Sequence, residues 1–177
     1  VKINKVYGSD FYPDLDKSNV QIYDGLNYRH WDTWEDGAFS HVFVHPMNNG
    51  TAGEGKDIMP GEAYDCPQKP FGGDEDYIWT PDSKKIIYVT KKKSGTAYAT
   101  STNTDLYEYD LATGTTVNLT ESNKGYDTNP LFASTGALAW LSMRRDGYEA
   151  DKNDLMVRVN GVTTNLTQGW DESVQHY

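Results

Sequence analysis

Two histidines have a spacing that zinc enzymes use. His41 and His45 are four residues apart, a separation that puts two metal ligands on one face of a helix. Their segment, Phe39 to His45, instead alternates as a strand does, and no glutamate adjoins His41. In a strand the two imidazoles would share a face about 13 Å apart, so we predict no metal site and no cofactor.

A serine nucleophile of the hydrolase type lies in a Gly-x-Ser-x-Gly turn between a strand and a helix. The chain contains only the second half of this pattern, at Ser134-Thr135-Gly136. The residues on both sides of Ser134 indicate a strand, a tight turn and a second strand, with no long helical period. We therefore predict that Ser134 lies in a hairpin and that no catalytic residue lies in this chain.

Acidic residues are abundant, at Asp74 to Asp76 and from Asp146 to Asp154. A glycosidase pair or a calcium loop would need such residues, but the second run lacks the glycine and terminal glutamate of an EF-hand. Solvated loops are the simpler interpretation. The remaining hypothesis is that Asp74, Glu75 or Glu149 lines a tunnel and attracts the amino terminus of a substrate.

An arginine lies in an aromatic stretch, Tyr28-Arg29-His30-Trp31-Asp32-Thr33-Trp34. An ion pair between Arg29 and Asp32, flanked by Trp31 and Trp34, could lock a strand against a neighbouring unit. The alternative is that Arg29 grips the carboxyl group of a substrate. Both interpretations stay open at the level of the sequence.

Cys66 and two asparagines have simple structural interpretations. Cys66 is the only cysteine, and a lone cysteine is more often buried and inert than nucleophilic. Asn118 and Asn165 each begin an Asn-Leu-Thr sequence, which satisfies the pattern for N-glycosylation. We interpret both as the end of a strand and the turn after it.

The net charge limits the possible partners. The chain has 16 Lys and Arg against 26 Asp and Glu, a formal charge of −10, whereas nucleic-acid binding needs clustered cations. The one basic run, Lys91 to Lys93, follows an apolar strand, and we interpret it as a solvated strand end or loop. We predict no nucleic-acid partner and, without about 20 consecutive apolar residues, no membrane span.

An internal repeat determines the predicted fold. Residues 77–90 align with 130–142, and 105–120 align with 154–167, at offsets of 53, 49 and 47 residues. Each copy reads as strand, turn and strand, and a period near 40 to 50 residues is typical of a propeller blade. A looser copy precedes them, with a strand at 39–45, a turn at 46–50 and a returning strand at 56–59. The aromatic content of 13% also favours an all-β chain.

Several segments carry a resemblance to known families. The turn Thr80-Pro81-Asp82-Ser83-Lys84 resembles that of repeats in TolB-like proteins and in the propellers of prolyl oligopeptidase family serine peptidases. Three further segments, 26–34, 66–73 and 145–151, resemble the acylaminoacyl-peptidase and dipeptidyl-peptidase-like branch of that family. The second repeat lacks the proline and aspartate of the turn.

The resemblance implies a fold, a function and partners. We expect residues 1–177 to form a partial N-terminal β-propeller of about three blades of antiparallel strands, at 22–70, 71–124 and 125–170. Its role would be to gate short peptides that reach the Ser, Asp and His of an α/β-hydrolase domain outside this chain. Because the chain does not begin with Met, an export signal could precede it, and we expect a periplasmic or secreted location.

Two other functions remain open. A TolB-like propeller without an enzyme would bind another protein through its tunnel or rim. A propeller lyase or hydrolase acting on polysaccharide would use His41 and the acidic loops for chemistry.

Overall fold

The chain consists mainly of short strands and turns, and the computed structural model describes all of residues 1–177. Fourteen strands form five antiparallel sheets, two of them four-stranded and three two-stranded. The helices are short: α1 Gly8–Phe11, α2 Gly95–Thr100 and the 3-10 turns Pro13–Leu15 and Asp74–Asp76. The all-β prediction is confirmed. Neither α-helix has the length and apolar character that crossing a bilayer requires.

The N-terminal third contains only two-residue strands. They are β1 Arg29–His30, β2 Thr33–Trp34, β3 Phe43–Val44, β4 Met47–Asn48, β5 Thr51–Ala52 and β6 Lys56–Asp57. β1 pairs with β2, β3 with β6 and β4 with β5. The returning strand predicted at 56–59 therefore exists, but the strand predicted at 39–45 contracts to β3.

The predicted turn at 46–50 is a hairpin of its own. Asn49 and Gly50, between β4 and β5, both have positive φ, 49° and 80°, which is the geometry that an Asn-Gly pair favours in a tight hairpin. The hairpin extends the loop between β3 and β6 and leaves less sequence for those strands.

The two repeats that align best form the two four-stranded sheets. The first sheet consists of β7 Tyr77–Trp79, β8 Lys85–Thr90, β9 Asp105–Asp110 and β10 Thr116–Asn118. The second sheet consists of β11 Asp127–Phe132, β12 Leu138–Ser142, β13 Asp154–Val159 and β14 Val162–Asn165. In both sheets each strand pairs with its neighbour in the sequence.

The turn between β7 and β8 forms as its residue types predict. Oδ1 of Asp82 accepts hydrogen bonds from the Thr80 hydroxyl at 2.8 Å and from the backbone N–H of Lys84 at 3.2 Å. Such a short polar side chain can bond the backbone two residues on, which defines the turn. These hydrogen bonds lower the pKa of Asp82.

The first sheet is covered on both faces, because successive residues of a strand point to opposite sides. On one face Ile86, Tyr88 and Tyr107 pack with N-terminal residues that include Ile58 and Met59. The opposite face packs against the second sheet, in a cluster of Ile87, Val89, Leu106, Leu138 and Trp140. This burial explains why residues 86–89 form a continuous apolar run.

Candidate functional site

A protruding hairpin presents the arginine and the tryptophans of the aromatic stretch. β1 and β2 pair Arg29 with Trp34 and His30 with Thr33, and all four residues are exposed. The turn between the two strands consists of Trp31 and Asp32. We call this segment, residues 28–35, the aromatic hairpin.

Three aromatic rings form the base of the aromatic hairpin. The centroids of Tyr23, Tyr28 and Trp34 lie 5.5, 5.7 and 6.1 Å apart, within the range of favourable ring contacts. The Tyr23 hydroxyl donates a hydrogen bond of 2.6 Å to the carbonyl oxygen of Glu35, which fixes the base. Burial, with a smaller effect of nearby carboxylates, raises the pKa of Tyr23.

A second aromatic group lies at the tip. The Trp31 ring is 4.7 Å from the His30 ring and 5.8 Å from the Phe71 ring. Trp31 is 67% exposed and Phe71 80% exposed. Because isolated soluble proteins seldom expose several large aromatic rings together, this surface is a candidate for binding.

The loop that carries Phe71 is held by a buried carboxyl group. Oδ2 of Asp76 accepts a hydrogen bond of 2.7 Å from the backbone N–H of Gln68, and a side chain at Gly72 would overlap with that carboxyl group. Burial raises the pKa of Asp76 to about 6. The carboxyl group of Asp76 therefore holds the backbone on both sides of Phe71.

Arg29 does not form an ion pair with Asp32, which was one of the two interpretations of this segment. Its guanidinium carbon lies 5.7 Å from the centre of the Trp34 ring, and no carboxylate oxygen lies within 4.0 Å of its nitrogens. The pair across the hairpin, Arg29 and Trp34, makes a cation–π contact instead. The guanidinium donors remain free for a ligand.

His41 and His45 belong to separate hydrogen-bond networks. The His41 side chain is fully buried, with Nδ1 2.8 Å from Oδ2 of Asp57 and Nε2 2.9 Å from the carbonyl oxygen of Glu62. His45 is exposed and bonds the carbonyl of Gly53. No group of three or more His, Cys, Asp or Glu side chains is arranged to hold a metal ion. With both ring nitrogens of His41 engaged, the imidazole is unsuited to the polysaccharide chemistry considered above.

Ser134 and Cys66 lie where the sequence predicts. Ser134 is exposed in the turn between β11 and β12, where Gly136 donates a backbone hydrogen bond to Ala133. Cys66 is fully buried, and its burial raises the pKa of the thiol. A buried neutral thiol is a poor nucleophile.

The basic run lies in the loop between β8 and α2, and it is less solvated than we predicted. Lys91, Lys92 and Lys93 are all half-buried. The Lys92 ammonium lies 2.5 Å from Oε1 of Glu62 and 4.3 Å from the centre of the Tyr107 ring. Burial lowers the pKa of Lys91. A carboxylate and an aromatic ring thus take the place of solvent beside Lys92, and the Lys91 ammonium lies 4.5 Å from the centre of the Tyr98 ring.

The acidic runs are only partly solvated. Asp74, Glu75 and Glu149 are exposed, and their role along a tunnel stays a prediction. Asp146 accepts hydrogen bonds from the Ser101 hydroxyl at 2.7 Å and from the backbone N–H of Thr102 at 2.9 Å. The loop after β12 is therefore docked on the residues that follow α2.

Asn118 and Asn165 form the same structure in the two sheets. The side-chain oxygen of each accepts a 2.9 Å hydrogen bond from the backbone N–H two residues on, at Thr120 and Thr167. The threonine hydroxyl then bonds the aspartate that begins the third strand of its sheet. The repeated Asn-Leu-Thr sequence thus connects the turn after the fourth strand of each sheet with the start of the third strand.

A polar cavity of about 330 Å³ lies between the end of the first sheet and the second sheet. Asp127, in its wall, is fully buried and accepts hydrogen bonds from Nε1 of Trp140 and from Nδ2 of Asn123. Asp127 does not stand out in the sequence. The available signal was Trp140, because a buried indole N–H needs an acceptor.

No family model matches the chain. The chain is similar to proteins named dipeptidyl-peptidase 5. It is 45% identical over 168 residues to that of Porphyromonas gingivalis, and the match covers 93% of this chain and 24% of that protein.

Two further relatives of that name give the same result. The protein of Porphyromonas endodontalis is 47% identical over 143 residues, which cover 80% of this chain and 20% of the relative. That of Schizosaccharomyces pombe is 31% identical over 168 residues, which cover 88% and 24%. The chain thus spans about a quarter of the length of the curated relatives it matches. The predicted relationship to peptidases is confirmed.

Proposed function

We propose that this chain is the substrate-gating propeller segment of a dipeptidyl-peptidase that hydrolyses short peptides. The name of the similar proteins supports the activity, and the two four-stranded meanders support the propeller. The catalytic Ser, Asp and His would lie in an α/β-hydrolase domain among the residues that the relatives have in addition. Residues 22–70, 71–124 and 125–170 would be three blades.

The outer face of the second sheet carries this proposal. Ile78 and Leu119 on the first sheet pack against the apolar cluster shared with the second sheet. Their matching repeat positions on the second sheet are Leu131 and Leu166, which are 50% and 55% exposed. The outer face of the second sheet is therefore apolar at the repeat positions that, in the first sheet, are packed against the second sheet.

A further sheet of the same kind would cover this outer face. Val159 and Val162, paired with each other across β13 and β14, add 51% and 68% exposed side chains to it. Full burial of an aliphatic side chain contributes about 1.5 to 3 kcal/mol. Stacking of repeated sheets, each covering the next, is how propellers form a continuous core.

The experiment compares two substitutions in two proteins. Leu166→Glu puts a charge on the outer face, and Ala133→Glu puts the same charge in the exposed turn between β11 and β12. In the 177-residue chain we expect both variants to melt within about 2 °C of the parent, because surface substitutions change stability by less than about 0.5 kcal/mol. In the full-length protein only Leu166→Glu is expected to lower the melting temperature, by several degrees.

Activity provides the second readout. The full-length protein is expected to release dipeptides from dipeptidyl p-nitroanilides and to discriminate against long peptides. Leu166→Glu should weaken that discrimination, since it opens a contact between blades, whereas Ala133→Glu should not. An unchanged melting temperature for full-length Leu166→Glu would contradict the covered face, and no dipeptide release by the parent would contradict the peptidase.

A further inference from the structure

His41 lies between two hydrogen-bond acceptors. Its side chain is fully buried, with Nδ1 2.8 Å from Oδ2 of Asp57 and Nε2 2.9 Å from the carbonyl oxygen of Glu62. A neutral imidazole has one nitrogen that donates and one that only accepts. Because a backbone carbonyl cannot donate, Nε2 carries a hydrogen, and a second proton lies between Nδ1 and the Asp57 carboxyl group.

The pair of His41 and Asp57 therefore holds one proton more than a neutral histidine and a carboxylate hold together. The other oxygen of Asp57, Oδ1, accepts a hydrogen bond of 2.8 Å from the N–H of Met59. The carboxyl group cannot turn away from His41 without losing that bond. The extra proton is thus part of the network that joins β6 to the residues before β3.

The charged groups around His41 come from three segments. Asp57 lies on β6, Glu62 and Asp65 lie in the loop after β6, and Lys92 lies in the loop after β8. Glu62 is paired with Lys92, and Asp65 lies 3.5 Å from the Lys69 ammonium. Asp57 has no lysine or arginine nitrogen within 4.0 Å. Its charge is therefore balanced by His41.

Loss of the extra proton leaves one hydrogen on His41 for two acceptors. A hydrogen bond to a carboxylate is stronger than one to a neutral carbonyl, so the remaining hydrogen stays on Nδ1, facing Asp57. Nε2 then presents its lone pair to the Glu62 carbonyl oxygen, and neither atom can donate. The contact between His41 and Glu62 is therefore the one that opens.

Glu62 connects this network to the first sheet. Its Oε1 lies 2.5 Å from the Lys92 ammonium, which lies 4.3 Å from the centre of the Tyr107 ring on β9. Its Oε2 is buried and has no hydrogen-bond partner, which costs free energy. Once its backbone is released, the Glu62 carboxylate can lower that cost by moving toward solvent.

We propose that His41 and Asp57 form a pH-sensitive latch between the N-terminal third of the chain and the first sheet. With the extra proton in place, His41 holds both Asp57 and the Glu62 carbonyl. Without it, the Glu62 contact opens and the pair of Glu62 and Lys92 loosens. Histidine is the side chain whose charge ordinarily changes between about pH 5 and pH 8. The latch is independent of the proposed function.

The test is an NMR titration of the 177-residue chain between about pH 5 and pH 8, which follows the ring nitrogens of His41 and the backbone N–H of Ala63. The Ala63 nitrogen belongs to the same peptide group as the Glu62 carbonyl and reports on its hydrogen bond. We expect both ring nitrogens to carry a hydrogen at the acidic end and only Nδ1 at the alkaline end. The Ala63 signal should move with the same midpoint.

Asp57→Asn separates the proton from the hydrogen bonds. The new amide oxygen can accept from the Met59 N–H while the amide NH2 group donates to Nδ1, so a neutral His41 with its hydrogen on Nε2 satisfies every contact. This variant should show one hydrogen-bearing ring nitrogen throughout, and its Ala63 signal should no longer depend on pH. Asp74→Asn, the same change at an exposed position, is the matched control and should titrate as the parent does.

Three results would overturn the latch. Two hydrogen-bearing nitrogens at both ends of the titration would show a permanent ion pair, and one at both ends would show that no proton is shared. The third is an Ala63 signal that follows pH equally in the parent and in Asp57→Asn. The first two are measured on the parent, so they remain decisive if the variant does not fold.

Discussion

The indole Nε1 of Trp140 donates a hydrogen bond of 2.9 Å to Oδ1 of Asp127, whose carboxyl group is fully buried between the two sheets. Asn123 donates to the other oxygen at 3.0 Å and also bonds the Met143 carbonyl at 2.9 Å. This network joins β11, β12 and the linker between the sheets. These hydrogen bonds do not fully offset the cost of burying the carboxylate. Burial therefore raises the pKa of Asp127 to about 6.

Asp127 is expected to make stability depend on pH. Its folded-state pKa lies above the ordinary 3.8, so the folded protein binds more protons between pH 4 and 6, and stability falls as the pH rises through that window. Asp127→Asn should lose this dependence. We expect the difference in unfolding free energy between parent and variant to change by about 2 to 3 kcal/mol from pH 4 to pH 7.

Urea unfolding at the two pH values checks this prediction. Asp76, whose pKa is also raised to about 6 by burial, shifts both proteins equally and cancels in the difference. Parallel pH profiles for the two proteins would show that Asp127 does not titrate differently in the folded state.

Thr167 is expected to stabilise the second sheet through its hydroxyl. Oγ1 donates to Asp154 at 3.0 Å and accepts from the Leu155 N–H at 2.9 Å. Thr167→Val leaves the Leu155 N–H without an acceptor, which costs about 1 to 3 kcal/mol, whereas Asp154 keeps its contacts with Lys152 and Asn165. Chemical denaturation measures the loss. Thr164→Val, an exposed threonine of β14, is the control, and equal effects of both substitutions would contradict the role of the hydroxyl.

Gly37 is expected to be intolerant of any side chain. Its φ is +82°, and a Cβ there would overlap with the carbonyl oxygen of Asn4, whose N–H donates to the Gly37 carbonyl at 3.0 Å. Gly37→Ala should lower the melting temperature by clearly more than Gly50→Ala, which has a similar φ of +80° but open space. Thermal unfolding of both variants isolates the steric contact, and equal shifts would rule it out.

Asp146 is expected to hold the loop after β12 on the residues that follow α2. Without its carboxylate, the Thr102 N–H loses its acceptor, so Asp146→Ala should speed hydrogen exchange of that amide by at least about 10-fold, as for a local opening. The exposed Asp74→Ala is the control. Unchanged exchange at Thr102 would mean that other contacts hold the loop.

The sequence predicted local structure well wherever one residue type decides the backbone. Asp82 forms the turn between β7 and β8, and Asn118 and Asn165 form the same turn at the end of the two sheets. The sequence also drew attention to residues 28–34, but the ion pair of Arg29 with Asp32, one of the two interpretations considered, does not form. The contact of Arg29 with Trp34 depends on the hairpin register, and composition does not set that register.

The all-β character and the two repeated meanders follow from the sequence, because strand alternation and turn chemistry act over a few residues. The relationship to peptidases followed from motifs that resemble those of that family. Which charges are neutralised depends instead on how the chain packs. Lys92 pairs with Glu62 and lies over the Tyr107 ring, Asp127 is buried against Trp140, and Arg29 has no carboxylate partner. These outcomes depend on distances between residues far apart in the chain, which no local pattern encodes.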